Sequence, residues 1–353
     1  MSDKMYSWQM TELKADFRLT ESPLPVLNET EALILVAGCG VCHTDLSFWH
    51  FGVKTKKELP LTLGHEISGN VVAGPPEWIG KNVIIPAVLP CGECELCKKG
   101  RSNMCQNQLM PGNDFHGGFA SHIRVPSRFL CQVQDAILDK YPLNKLAIVA
   151  DAISTPYQVM KKSELESGDF AVVIGVGGVG IFAALLAKIS GAKVLALDID
   201  DEKLEAAKNN GIDAVLNVSG MDIKTVKENV KGIAKNLGVS RYGWKIFEVS
   251  GTRSGQELAF NLITFTSTLS IVGFTMDRTE IRLSNLMAFD AKIIGTWGCK
   301  PELYPDVLDL IADGKLKIDP FVETFPMSTI NEVFKNTLEH KYKKRSVLVP
   351  DFD

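Results

Sequence analysis

No run of apolar residues in this chain approaches the roughly 18 that a membrane-spanning helix requires, and its opening stretch, MSDKMYSWQMTELKADF, lacks the apolar core of a signal peptide. The expectation from these two absences is a cytoplasmic protein without a membrane partner. Massed positive charge is missing too: the 353 residues carry a net charge of −4, with lysines and arginines scattered along the chain. Without a basic stripe there is no electrostatic footprint for a phosphate backbone, so nucleic acid is not expected as a partner. Internal repeats and low-complexity segments are absent as well. What remains is an ordinary globular composition, 45% hydrophobic and 23% charged, in a chain long enough for two domains.

The texture of the sequence changes near residue 168. Before it, Gly and Pro punctuate short β-rich runs such as Glu31–Ala37 and Asn82–Val88, which predicts a mostly β lobe. After it, strands alternate with helices: a strand over Phe170–Gly175, a helix over Val179–Lys188, a strand over Lys193–Asp198, further strands at Lys245–Ser250 and Ser267–Gly273, and a helix over Gln256–Leu262 between them. Alternation of this kind specifies a parallel sheet covered on both faces. A helix around Tyr304–Asp313 and a strand over Ser346–Val349 close the chain.

Gly175-Val176-Gly177-Gly178-Val179-Gly180 follows the first of these strands, opens the first helix and precedes Asp198 by about the interval of a dinucleotide-binding βαβ unit. Glycines let backbone approach a pyrophosphate, the helix N-terminus supplies unpaired N–H groups, and an acid at the end of the second strand meets the adenosine ribose. Because the charge of Asp198 repels a 2′-phosphate, NAD is expected rather than NADP.

Eight cysteines are present, and four of them, Cys91, Cys94, Cys97 and Cys105, recur at short intervals. Buried free cysteines have no reason to do so, and in a reduced compartment the pattern reads as a closed tetrahedral zinc site that holds a lobe together. Cys42, His65 and Glu66 form a second, mixed set of the kind that leaves a coordination position open for substrate.

These segments, Gly40-Val41-Cys42-His43-Thr44-Asp45, Gly64-His65-Glu66-Ile67-Ser68-Gly69, the four-cysteine run and the glycine turn, together resemble the zinc-dependent medium-chain dehydrogenase (alcohol dehydrogenase) family across essentially the whole chain. The resemblance implies an α/β protein: a mostly β, GroES-like catalytic domain over residues 1–152 and 298–353, and a Rossmann doubly wound parallel-sheet NAD-binding domain over residues 153–297. It implies two zinc ions per subunit, one structural and one catalytic, with NAD as the hydride acceptor. Cys42 and His65 would hold the catalytic zinc, Glu66 would exchange with water or substrate, and Asp151 would be the third protein ligand. Asp45 would orient His65. Thr44 would hydrogen-bond the substrate alcohol and begin a proton relay ending at Ser47 or, three residues on, His50. For the cofactor, the resemblance implies pyrophosphate contacts from His43 and Arg345 and a ribose contact from Lys203, beside the glycine turn and Asp198.

Within the family the sequence, especially through Leu89–Cys131, resembles the 6-hydroxycyclohex-1-ene-1-carbonyl-CoA dehydrogenases of anaerobic benzoyl-CoA degradation. That implies a small-molecule substrate, a cyclic acyl-CoA whose ring secondary alcohol becomes a ketone, with Lys54, Lys56, Lys57, Arg124 and Arg128 as candidate cations for the CoA phosphates. The alternatives are a general secondary-alcohol or polyol dehydrogenase acting on free alcohols and, in another class, a non-enzymatic nucleotide-binding protein. The intact Cys42, His65, Asp151 set speaks against the latter. Family members are dimers or tetramers, so a homodimer or homotetramer is expected.

Overall fold

The computed structural model describes residues 4–352. The chain separates into two compact units: one holds it up to Ser154 and again from Gly298, the other is Thr155–Trp297.

The first unit is mostly β, as its dense Gly and Pro punctuation predicts. A seven-stranded sheet runs in the order Val322–Pro326, Arg345–Val349, Glu31–Gly40, Glu66–Ala73, Asn82–Ile85, Cys131–Gln132, with His122–Pro126 also paired to Glu31–Gly40. A smaller sheet joins Arg18–Pro23, Lys4–Met10 and Leu61–Thr62. The long central strand Glu31–Gly40 is antiparallel to Glu66–Ala73, with Gly40 opposite Glu66 and Cys39 opposite Ile67. That register brings the Cys42 and His65–Glu66 segments side by side although more than twenty residues of chain separate them. Behind them lies a core that includes Ile34, Leu46, Leu61, Leu63, Ile67, Phe119 and Phe334, each essentially without solvent contact.

The second unit is a six-stranded, all-parallel sheet in the order Ala214–Asn217, Lys193–Asp198, Phe170–Ile174, Lys245–Glu248, Thr268–Ile271, Lys292–Gly295. Counted within the unit this is strand order 3-2-1-4-5-6, the doubly wound arrangement expected from the sequence, whose ligand crevice lies at the carboxyl ends of the central strands, where the order reverses. The central strand Phe170–Ile174 is buried at every position, which is why it reads as a continuous apolar run rather than an alternating one. Helix Gly180–Ile189 begins directly after the glycine turn.

Candidate active site and metal centres

Cys94 caps the short helix Glu95–Lys98, and the turns on either side fold Cys91, Cys97 and Cys105 back onto it. All four sulfurs lie within 4.8 Å of one another, with Cys91–Cys105 at 3.4 Å, Cys94–Cys97 at 3.5 Å and Cys94–Cys105 at 3.7 Å. Four thiolates around a zinc at ~2.3 Å would sit about 3.8 Å apart, so the cage already has nearly the right size. Backbone N–H groups point at the sulfurs: Cys91 at Cys105 Sγ (3.3 Å), Cys94 at Cys91 Sγ (3.4 Å) and Asn107 at Cys105 Sγ (3.3 Å). Donors to sulfur favour the thiolate over the thiol. Backbone donation, from Cys97 first, brings Cys94 down to about 6, whereas burial pushes Cys97 up to about 12. The donor set fits a closed structural zinc.

The mixed set is assembled from three places in the first unit. Cys42 precedes helix His43–Trp49, His65 immediately precedes the strand Glu66–Ala73 that Glu66 begins, and Asp151 follows a 3₁₀ run, Leu143–Ala150. Ligand atoms of Cys42, His65, Glu66 and Asp151 lie within 4.8 Å of one another. Asp151 Oδ2 is 3.8 Å from Cys42 Sγ and 3.7 Å from His65 Nε2, a few tenths of an ångström wider than the roughly 3.4–3.6 Å of a tetrahedral zinc shell. His65, Glu66 and Asp45 are 0–1% exposed. Burial alone would push the His65 imidazole down, but the carboxylates of Asp45 and Asp151 outweigh it and hold it well above the ordinary histidine value. A pocket of a thiol, an imidazole and two carboxylates, closed to water on most sides, is a cation-seeking arrangement, and its soft and hard donors suit zinc.

Asp45 is held between the two ligand segments by several contacts. Its Oδ2 accepts from the Cys42 N–H (2.9 Å), its Oδ1 accepts from the Gly64 N–H (3.1 Å), and Oδ1 lies 3.4 Å from His65 Nδ1, close enough for charge pairing though long for a hydrogen bond. One buried carboxylate thus ties both ligand segments together and faces the imidazole nitrogen turned away from the cluster. Thr44 Oγ1 is 3.8 Å from Cys42 Sγ. The Ser47 hydroxyl donates to the His43 carbonyl at 2.9 Å, and His50 sits beyond the helix end with its ring against Trp49 and Phe51. His43 is exposed, its ring stacked on His340 at 6.0 Å.

Arg345 is engaged by a carboxylate. Expected from the sequence as a pyrophosphate contact, it is 5% exposed and forked onto Glu66, Nε to Oε2 at 3.1 Å and Nη2 to Oε1. A guanidinium that neutralises a buried carboxylate is held there by the low dielectric, so a phosphate would have to compete for it. Glu66 Oε1 also accepts from the Ala152 N–H at 3.1 Å. Burial pushes the Glu66 carboxyl up and Arg345 opposes that shift. The candidate CoA cations are likewise partly engaged: Lys56 pairs with Asp114 (2.9 Å), Arg124 with Glu31 (3.5 Å), and Arg128 donates to the Cys91 carbonyl (2.7 Å).

In the second unit the glycine turn lies at the carboxyl end of Phe170–Ile174, where the strand order reverses. A Cβ on Gly180 would lie 1.8 Å from the Gly175 carbonyl oxygen, and Gly175 has φ +85° with Ser250 packed against it, whereas Gly177 faces open space. Tight packing at two glycines and clearance at a third is what a backbone cradle for a pyrophosphate needs. Asp198 closes the next strand and accepts from the N–H groups of Val176 (2.8 Å), Ile199 (2.8 Å) and Asp200 (3.1 Å), which fixes it beside the turn. Lys203 lies in the first turn of helix Asp201–Asn209, its N–H on the capping Asp200. Two buried residues that sequence reasoning missed support these sites. Glu248 accepts from the Ser250 and Gly251 N–H groups (2.8 and 3.1 Å) and holds the loop that packs on Gly175, and Tyr304 donates to the Ala150 carbonyl. Neither carries a motif; Tyr304 reads only as one more core position of a helix.

Comparison with known proteins agrees with this arrangement. Residues 28–135 match the alcohol dehydrogenase GroES-like domain and residues 178–313 the zinc-binding dehydrogenase family. An alcohol dehydrogenase of Geobacillus stearothermophilus is 31% identical over 345 residues, covering 96% of this chain and 97% of the relative. Among solved structures, the alcohol dehydrogenase of Aeropyrum pernix superposes with a TM-score of 0.86 at 26% identity, covering 98% of this chain and 100% of the other. Acetophenone reductase of Geotrichum candidum, in complex with NAD, does so with a TM-score of 0.86 at 25% identity, over 100% and 99%. With a closed four-thiolate cage, a mixed zinc-seeking cluster and a glycine turn on a doubly wound sheet in one chain, this protein belongs to the zinc-type medium-chain alcohol dehydrogenase family.

Proposed function

We propose that this protein oxidises a secondary alcohol to a ketone with NAD as acceptor, and that its substrate is a ring alcohol on a CoA thioester, 6-hydroxycyclohex-1-ene-1-carbonyl-CoA, converted to the 6-oxo ketone. The observation that carries the first part is the convergence of Cys42, His65, Glu66 and Asp151 within 4.8 Å in a chain that also has an Asp198-flanked glycine turn. A zinc ion held there would supply acidification of an oxygen ligand toward neutral pH, and NAD would supply the hydride acceptor. The chain's own residues do the rest. Cys42, His65 and Asp151 would hold the metal, with Asp45 fixing the orientation of His65. Glu66 gives a fourth donor that can exchange with the substrate oxygen, its charge meanwhile balanced by Arg345. The Thr44 hydroxyl, at the start of the helix, accepts the proton that the alcohol loses and passes it toward Ser47 or His50. Within the second unit, Asp198 and Lys203 seat the ribose and the glycine turn seats the pyrophosphate.

The CoA assignment rests on the resemblance through Leu89–Cys131, with the exposed Lys54 and half-buried Lys57 as the cations assigned to the CoA phosphates. Oxidation of free secondary alcohols is the second reading, favoured by the protein partners of Lys56, Arg124 and Arg128 and by the alcohol dehydrogenases among the relatives. A homodimer or homotetramer is supported by the edge strand Lys292–Gly295, which pairs with Thr268–Ile271 alone among the described strands, and by the exposed Phe274, Met276, Leu283 and Met287 in the segment before it. The test is absorbance at the NADH band with zinc-loaded protein and NAD, given either simple secondary alcohols or the cyclic hydroxyenoyl-CoA. Reduction with the CoA ester alone supports the specific substrate. Reduction with free alcohols selects the second reading, and silence with both refutes hydride transfer.

A further inference from the structure

The backbone that delivers Asp151 is unusual. It leaves an eight-residue 3₁₀ run, Leu143–Ala150, longer than the three or four residues such helices normally sustain, and Asp151 itself has φ −142° and ψ −55°. A 3₁₀ end leaves carbonyls without a helical partner, and in a buried place each needs one. Ala150 is 0% exposed, and its carbonyl accepts from two buried hydroxyls, those of Tyr304 and Ser154, the latter at 3.1 Å. Tyr304, also 0% exposed, comes from the far end of the chain, at the start of helix Tyr304–Ala312. Its oxygen accepts from the Ala87 N–H at 3.3 Å, which directs the hydroxyl hydrogen to Ala150. On the other side of Asp151, the Ala152 N–H is held by Glu66. The peptide groups flanking Asp151 are therefore clamped from both directions, and a carboxylate only two rotatable bonds from its backbone has little reach beyond where they place it.

We propose that the hydroxyl anchor of Tyr304 and Ser154 on the Ala150 carbonyl positions Asp151 as a ligand of the catalytic zinc, setting the metal affinity of that site and not of the four-cysteine site. This rests on the assignment of Asp151 as a ligand. Both residues act through Ala150 and neither touches the metal, so they are positioning residues. Loss of such support typically costs 10–100-fold in metal affinity.

The experiment uses the full chain loaded with zinc. Release of the two zinc ions to a chelator is followed for wild type, Tyr304→Phe and Asp151→Ala, and the visible d–d spectrum is recorded after cobalt is exchanged into the mixed-ligand site. Expected for Tyr304→Phe is about tenfold or greater weakening of one metal only, with an altered cobalt band and normal retention in the four-cysteine cage. Release of both metals as in wild type, with a superimposable cobalt band, would overturn the proposal provided Asp151→Ala does lose its metal. If Asp151→Ala also keeps both metals, the ligand assignment fails, and the proposal with it. Should Tyr304→Phe not fold, Ser154→Ala removes the other hydroxyl from the same carbonyl. Selective loss of one metal in that variant supports the anchor and wild-type retention overturns it.

Discussion

Replacing Arg345 by methionine is expected to destabilise the mostly β unit by about 3–5 kcal/mol. The magnitude follows from burial. Arg345 is 5% exposed and Glu66 0%, and the guanidinium reaches both carboxylate oxygens. Methionine keeps much of the stem volume and removes the charge, leaving Glu66 with one protein donor of those described, the Ala152 N–H. A carboxylate stranded out of water either bears the desolvation cost or takes up a proton. Burial already pushes Glu66 above the ordinary carboxyl value with Arg345 opposing it, so Glu66 should protonate at higher pH in the variant. At about 2–4 °C per kcal/mol for a unit of this size, the calorimetric transition should fall by about 6–20 °C. The loss should be greater once the mixed-ligand site has been emptied, because a bound divalent cation also neutralises Glu66. Adding Glu66→Gln to Arg345→Met removes the stranded charge and should restore most of the lost stability. A single-variant loss below about 1 kcal/mol, or a double variant no better than the single, would refute the reasoning and show that the pair is effectively hydrated.

Three further outcomes are expected. Gly180→Ala forces a Cβ to within 1.8 Å of the Gly175 carbonyl, so the turn must open, and fluorescence titration should show NAD binding at least about tenfold weaker; unchanged affinity would remove the turn from the cofactor site. Cys97→Ser should reduce zinc content from two ions per chain to one by elemental analysis and lower the melting temperature, while NAD binding, seated in the other unit, persists. Asp213 accepts from Lys188 (2.7 Å), Lys193 (3.3 Å) and the Val194 N–H (3.0 Å); burial works against its charge, but these donors outweigh it and depress its pKa. A depressed carboxyl contributes stability above the unfolded value of about 3.9 that is lost as pH falls through the folded value, so Asp213→Asn should melt lower than wild type at pH 7, with the gap closing in acid.

The elements that were legible from the sequence are those whose chemistry is local. The strand Lys193–Asp198 is found at the predicted bounds because its apolar run and flanking turns are contiguous, and helix Tyr304–Ala312 within a residue of the expected Tyr304–Asp313 because its periodicity is its own. The four cysteines announce themselves because a metal cage built within one loop must space its ligands closely in sequence. The glycine turn is readable for the same reason: backbone clearance can only be written as glycine. The pairing of Arg345 with Glu66 crosses 279 residues and that of Tyr304 with Ala150 crosses 154, and no local pattern encodes either. By itself the sequence determined the two metal-ligand sets, the nucleotide turn and the class of fold that carries them. Tertiary structure decided where Arg345 spends its charge, which hydroxyls hold the backbone beside Asp151 and how the mixed cluster closes, because a buried charge or carbonyl is satisfied by whatever the folded chain brings within 3 or 4 Å, however far away it lies in sequence.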